Sequence, residues 1–225
     1  MAVRLVHCRD IHRAYRLLHA RNGLLGWWPG RTRLEIIVGA ILTQNTAWTN
    51  VEKAIRALRA ARLLSLRGLR SAGLPELEEA IRPSGYFRQK ARKLKAFLTC
   101  LDDDFGGRLN RMARPATPEL RERLLAIWGI GPETADSVLL YAFNRRTFVV
   151  DTYTKRVACR HGWIRPNPSY DDLQALFSRH LPEDVPLYND YHAQMVWVGK
   201  HYCRTKPQCE GCPLKPLLLG RPPEA

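Results

Sequence analysis

Residues 124–151 read LLAIWGIGPETADSVLLYAFNRRTFVVD. The pattern predicts a helix up to Trp128, a Gly-Ile-Gly turn, a second helix over 132–143, and Asp151 at the start of a third helix. Gly129 can end the first helix in the left-handed conformation. The backbone N–H groups at the start of the second helix, together with its dipole, favour binding of a phosphate there. An ordinary pair of helices with glycine caps fits the same spacing.

The composition favours a polyanionic partner and a reducing compartment. Lys and Arg number 36 against 21 Asp and Glu in 225 residues, a formal net charge of +15. This excess favours nucleic acid, although an arginine-rich proteome produces the same balance. The charged N-terminus is unlike a signal peptide, and no run of 18 apolar residues occurs, so we expect no membrane span. Six cysteines, three of them clustered, argue against a secreted disulfide scaffold. We expect a cytoplasmic, nucleoid-associated protein of a bacterium or archaeon.

The remaining pattern predicts an all-α protein. Apolar residues recur at helical spacing in nearly every segment, and the strand-like run 148–150 is too short to support a sheet. The segment 88–95 carries five positive charges, including Lys90. It is either a solvated helix face or a helix that flanks a DNA backbone.

The motifs resemble the helix-hairpin-helix DNA glycosylases of the endonuclease III superfamily. The likeness rests on GIGPETA at 129–135 with VVDT at 149–152, and it continues through ILTQNT at 41–46 and YFRQKA at 86–91. It spans about residues 24–213 and ends in the cysteine cluster.

The resemblance implies two helical lobes with a DNA-binding cleft between them. The implied domains are a six-helix barrel at 23–116, a hairpin lobe at 1–22 plus 117–202, a cysteine loop at 203–213 and a tail at 214–225. The implied partner is damaged double-stranded DNA, bound by a monomer. The DNA contacts are assigned to Gln44, Lys90, Gly129, Ile130, Gly131 and Thr134. Gln44 is either a filler of the gap left by a flipped base or a polar residue at a helix end.

Asp151 is the implied catalytic residue, since the family uses this aspartate to cleave the base–sugar bond. At the N-terminus of a helix the dipole holds the carboxylate ionised, where it can stabilise positive charge on the sugar or orient a water. A plain N-cap aspartate is the alternative. Family members that also cut the backbone carry a Schiff-base lysine two residues after the second hairpin glycine. That position is Glu133 here, so the lyase step by that route is absent. Lys155 is a possible substitute amine.

The cysteines depart from the family pattern. Cys203, Cys209 and Cys212 form C-x5-C-x2-C, whereas the iron–sulfur members carry C-x6-C-x2-C-x5-C. Leu218 stands at the fourth position and cannot ligate a metal. A [4Fe–4S] cluster normally takes four thiolates. His201, Cys8 or an exogenous group could complete it, and zinc or a metal-free loop are the alternatives.

The aromatic residues predict which base is bound. Trp27-Trp28-Pro29 and QNTAW at 44–48 resemble the 3-methyladenine DNA glycosylase III branch, in which the base stacks in an aromatic pocket. The base pocket is assigned to Trp27, Trp28, Pro29, Trp48 and Glu133; a loop that plugs the core is the alternative for the first three. We therefore expect a monofunctional glycosylase for alkylated purines. The rivals are an endonuclease III-like bifunctional enzyme acting on oxidised pyrimidines and a non-catalytic DNA-binding module.

Overall fold

The computed structural model describes residues 8–220 and 222–223, except for the side chains of residues 8 and 9. Every regular element in these residues is a helix, which confirms the all-α prediction. The α-helices are α1 (Cys8–Asn22), α2 (Arg33–Leu42), α3 (Trp48–Ala60), α4 (Leu66–Ser71), α5 (Leu74–Ile81), α6 (Phe87–Phe105), α7 (Leu109–Met112), α8 (Thr117–Ala126), α9 (Pro132–Ser137), α10 (Thr152–Arg160), α11 (Tyr170–His180) and α12 (Val185–His201). A π-helical turn, Val138–Ala142, continues α9, and 3-10 helices occupy Arg82–Ser84 and Lys215–Leu218.

The chain divides into two compact units that differ from the expected domains. Unit 1 comprises residues up to Trp27 and from Arg146 onward, and unit 2 comprises Trp28–Arg145. The hairpin residues therefore group with the barrel helices, not with 146–202. The reason is packing: Ile130 and Leu139 belong to the same hydrophobic core cluster as Ile37 of α2. A predicted boundary at 116 would cut through that core.

Unit 2 is built around α2, which carries only apolar residues from Ile36 to its end. Its residues from Ile37 to Leu42 are all buried, as expected for a helix surrounded by other helices. Helices α5 and α6 pack against each other, and α2 contacts α3, α6, α9 and the π-helical turn. This arrangement places the hairpin directly beside the C-terminal end of α2.

Lys90 has a structural role, which corrects its assignment to DNA binding. The side chain is 2% exposed. Its Nζ donates hydrogen bonds to the carbonyl oxygens of Leu42 at 2.8 Å and Ser84 at 2.7 Å. Burial, together with the smaller effect of the neighbouring charge of Lys93, lowers the pKa of Lys90 to about 8. Lys90 therefore links the end of α2 to the 3-10 turn that precedes α6.

Unit 1 is organised around α12, which contacts α10 and α1. Asp184 caps the N-terminus of α12, and Ser169 with Asp172 forms the predicted capping box of α11. The predicted tail at 214–225 is partly wrong, because Leu214, Leu217 and Leu218 are buried in this unit. No helix among residues 8–220 is both long and apolar enough to cross a bilayer.

Candidate active site and DNA interface

The hairpin of unit 2 has the predicted turn. Helix α8 ends at Ala126, and Gly129 takes a left-handed φ of 80°. Gly131 is the N-cap of α9, and no atom lies within 4 Å of where a Cβ on it would stand. A ligand can therefore come close to the backbone at Gly131. The first helix was predicted to extend to Trp128, but α8 ends two residues earlier and Trp128 is 57% exposed.

The four predicted DNA-binding residues of the hairpin differ in how exposed they are. Ile130 is buried, and its N–H donates to the Ile127 carbonyl at 3.0 Å. Its side chain therefore anchors the hairpin in the core and does not face solvent. Thr134 is also buried, and its hydroxyl accepts a hydrogen bond from Gln44 Nε2 at 2.9 Å. Gly129 and Gly131 are exposed.

Gln44 is bonded to the hairpin, not projected away from it. Its Nε2 also donates to the Gly129 carbonyl at 3.2 Å, while its Oε1 accepts a hydrogen bond from Lys93 Nζ. Entry of Gln44 into DNA would break these bonds. Lys93 was missed by the sequence reasoning because it reads as one more charge on a basic helix. Burial lowers its pKa, and its methylene chain covers Gly129.

An aromatic cluster lies next to α2 in unit 2. The ring of Trp28 stacks on Tyr141, with centroids 4.7 Å apart and planes 19° apart, and meets Trp48 edge-on at 5.1 Å. Gly39 of α2 lies against both indoles; a Cβ there would be 3.5 Å from Trp48 and 3.6 Å from Trp28 Nε1. Trp28 Nε1 is buried and makes no hydrogen bond, whereas Trp48 Nε1 donates to Glu52 at 3.1 Å. The cluster thus holds a buried donor without a protein acceptor.

Tyr141 was not among the predicted pocket residues. In the sequence it reads as one more core residue of the helix over 132–143. The π-helical turn at Val138–Ala142 widens the helix at that point, and π-turns are frequent at functional sites. The other two predicted pocket members of this unit, Pro29 and Glu133, are exposed.

Trp27 belongs to unit 1, so the WWP run does not form one cluster within one unit. Its ring meets His192 of α12 edge-on, with centroids 6.2 Å apart. Its Nε1 is buried without a hydrogen-bond partner. The sequence gives no signal for this separation, since the unit boundary falls between two adjacent tryptophans.

Asp151 is the N-cap of α10, and its two oxygens differ in their contacts. Oδ1 accepts hydrogen bonds from the Thr154 N–H at 2.7 Å and the Thr154 hydroxyl at 2.8 Å. Oδ2 lies 3.7 Å from His192 Nε2. Burial raises the pKa of Asp151, but the imidazole of His192 and the Thr154 hydrogen bonds outweigh it and lower the pKa overall. The structure therefore holds a buried carboxylate in its ionised form.

The three clustered cysteines line one cavity in unit 1, which Leu218 and Arg160 also line. Arg160 Nη1 lies 3.4 Å from Cys203 Sγ, and burial raises the pKa of the Cys212 thiol. Within residues 8–220, no group of three or more His, Cys, Asp or Glu side chains is placed to hold a metal ion. His201 is exposed and stacks on Trp197, and the side chain of Cys8 lies outside the described part of the chain. Three thiols facing a leucine do not fit a four-thiolate cluster, so no step of the chemistry is assigned to one.

Comparisons with known proteins identify the family of this chain. The family model of the HhH-GPD superfamily base excision DNA repair proteins matches residues 38–183. MJ1434 of Methanocaldococcus jannaschii, named as a candidate DNA repair glycosylase, is 42% identical over 94% of this chain and 96% of its own. Endonuclease III of Thermotoga maritima is 32% identical over 80% of each chain.

Two solved structures share the fold. The H. pylori 3-methyladenine DNA glycosylase (MagIII) bound to 1,N6-ethenoadenine has a TM-score of 0.73 and 28% identity, covering 85% of this chain and 97% of its own. A non-covalent endonuclease III–DNA complex has a TM-score of 0.80 at 24% identity, covering 95% of each chain, and its likeness is one of fold. The chain belongs to the HhH-GPD superfamily of base excision DNA repair proteins, the DNA glycosylases that its hairpin and aspartate predicted.

Proposed function

We propose that this DNA glycosylase is monofunctional and releases alkylated purines such as 3-methyladenine from double-stranded DNA by hydrolysis. The observation that carries the proposal is the aromatic cluster of Trp28, Trp48 and Tyr141 in unit 2. An alkylated purine is cationic and electron-poor, and such groups are attracted to the faces of indole rings. The buried Trp28 Nε1 donor is available to an acceptor on the bound base. The likeness to a 3-methyladenine glycosylase gives independent support.

Asp151 supplies the charge that the reaction needs. When the base–sugar bond breaks, positive charge develops on the sugar, and a fixed carboxylate stabilises it without reorganising. The low pKa of Asp151 keeps it ionised. An oxygen of this carboxylate can also orient the water that attacks the sugar carbon as the neutral base leaves. An alkylated purine already has a weakened bond, so modest catalysis is enough.

Glu133 supports hydrolysis without strand cleavage. A carboxylate cannot form an imine with the sugar, and Glu133 is exposed in the first turn of α9, where a negative charge is favoured by the helix dipole. The hairpin and the net charge of +15 support binding to the DNA backbone. We expect DNA affinity to fall steeply as the salt concentration rises.

The first experiment is a panel of duplexes, each carrying one lesion, with base release and strand nicking measured separately. We expect release of 3-methyladenine from methylated DNA with no nicking. Borohydride should trap no covalent adduct with the wild type, whereas Glu133→Lys, which restores the amine, should be trapped. Trapping of the wild type, or nicking of a thymine-glycol duplex, would favour the bifunctional alternative.

The base pocket is tested by Trp28→Leu, with Trp197→Leu as the control because Trp197 is also half-buried but lies in unit 1. Loss of a stacking aromatic costs about 1–3 kcal/mol per base, which is about a 5- to 150-fold loss of excision. The control should keep the wild-type rate. Equal rates for both variants would remove Trp28 from the pocket.

A further inference from the structure

The buried side chain of His192 faces Asp151 within unit 1. His192 Nε2 lies 3.7 Å from Asp151 Oδ2, and the two side chains are 6% and 11% exposed. Oδ1 already accepts two hydrogen bonds from Thr154. Oδ2 is therefore the oxygen left for chemistry, and His192 lies beside it.

The fold holds the imidazole in place through the residues on either side of it in α12. Asp190 accepts a hydrogen bond from the Leu25 N–H at 3.1 Å, and Gln194 donates one to the Gly23 carbonyl at 2.8 Å. These bonds tie the segment that precedes Trp27 to α12. Trp27 in turn meets the His192 ring edge-on. The ring is thus confined between Trp27 and the N-terminus of α10.

The charged groups near the pair are also held in fixed contacts. The Asp190 carboxylate, two residues before His192 on α12, accepts a hydrogen bond from the Tyr15 hydroxyl at 3.0 Å and lies 3.1 Å from His19 Nδ1 of α1. From α10, the groups that face Asp151 are the hydroxyl and N–H of Thr154. His192 is the ring that faces Oδ2.

We infer that His192 is a positioning residue for Asp151: its buried ring lies beside Oδ2 and fixes the direction of the carboxylate. This inference rests on the proposed catalytic role of Asp151. A buried carboxylate is costly unless it is paired, and a carboxylate that is already oriented does not have to reorganise as charge develops on the sugar. The imidazole meets both needs from one face, which leaves the rest of Oδ2 open to sugar or water. The low pKa of Asp151 agrees with this arrangement.

The test compares His192→Leu, which removes the polar ring, with His192→Gln, which keeps a side-chain donor. His180→Gln is the control, because this histidine lies at the end of α11 and bonds the Leu176 carbonyl. Single-turnover excision, DNA affinity and the pH dependence of the rate are measured for each. Removing a residue that orients a metal-binding side chain costs about 10–100-fold in activity. By analogy, we expect His192→Leu to lower the excision rate by a similar factor. DNA affinity should not change, and His192→Gln should recover part of the rate.

A second readout does not depend on activity. The Asp151 carboxyl carbon, followed by NMR, should titrate at higher pH in His192→Leu than in the wild type.

The pH dependence of activity gives a further check: the excision rate of His192→Leu should fall at mildly acidic pH, where the wild-type rate stays flat. An unchanged Asp151 titration, or a His192→Leu rate equal to that of the control at every pH, would overturn the inference. If the wild type released no alkylated base, the proposed substrate would fail, and the carboxyl titration would still decide whether the pair exists.

Discussion

Replacing Gly129 by alanine should destabilise unit 2 through two separate effects. Gly129 has a φ of 80°, and a Cβ there would stand 2.5–2.9 Å from three methylene carbons of Lys93. The left-handed conformation costs an L-residue about 1–2 kcal/mol. Overpacking costs about 1–3 kcal/mol, because the Lys93 chain is held at its tip by Gln44. After the gain of about 0.4–1 kcal/mol from a stiffer unfolded chain, we expect a loss of about 1–4.6 kcal/mol.

The matched control is Gly131→Ala, two residues along the same turn. Gly131 has a φ of −95°, and a Cβ there would meet nothing within 4 Å. The stability of this variant should change little, because alanine is a poorer N-cap than glycine but stiffens the unfolded chain. Its DNA affinity should fall because the added methyl occupies the approach to the backbone. For a chain of this size, 1 kcal/mol shifts the melting temperature by about 2–4 °C. Gly129→Ala should therefore melt roughly 2–18 °C below Gly131→Ala.

A double-mutant cycle separates the two effects. Adding Lys93→Ala removes the steric conflict but not the left-handed backbone, so the pair should show a favourable coupling of about 1–3 kcal/mol. Equal melting temperatures for the two glycine variants would refute this account of the turn. A coupling near zero would show that Lys93 does not limit the space above Gly129.

Three further predictions concern buried ionisable groups. Asp151→Asn should leave the free energy of unfolding within about 0.5 kcal/mol, because Asn caps helices as well as Asp, and should abolish base release while DNA binding remains. Asp136 is fully buried and bonded to Arg121 at 2.8 Å, so Asp136→Ala should lower the free energy of unfolding, measured by chemical denaturation, by about 3–5 kcal/mol. The control is Glu79→Ala, which breaks the exposed pair with Arg82 and should not change the free energy of unfolding measurably. Lys90, with its pKa lowered to about 8, loses its proton in the folded state before the unfolded chain does near pH 10.4. The free energy of unfolding should therefore rise by up to about 3 kcal/mol between these pH values, relative to that of Lys90→Met. If the free energies of unfolding of the two proteins followed parallel curves with pH, a buried lysine cation would be contradicted.

Most of the helices could be predicted because their apolar period is long enough to read. The exceptions have a physical reason: α4 and α7 have six and four residues, which is less than two turns. Lys90 and Lys93 show the limit of a charge pattern. In the sequence both belong to one basic segment, but in the structure one is buried beneath two carbonyls and the other covers the hairpin glycine.

The sequence by itself determined the superfamily, the hairpin, the position of the aspartate and the loss of the Schiff-base lysine. All of these depend on local spacing or on the identity of one residue. Only the tertiary structure showed that Tyr141 stacks on Trp28, that His192 faces Asp151, and that Trp27 and Trp28 belong to different units. These facts depend on contacts between segments far apart in the chain. No periodicity within a single segment encodes such a contact, because it forms only when the helices pack.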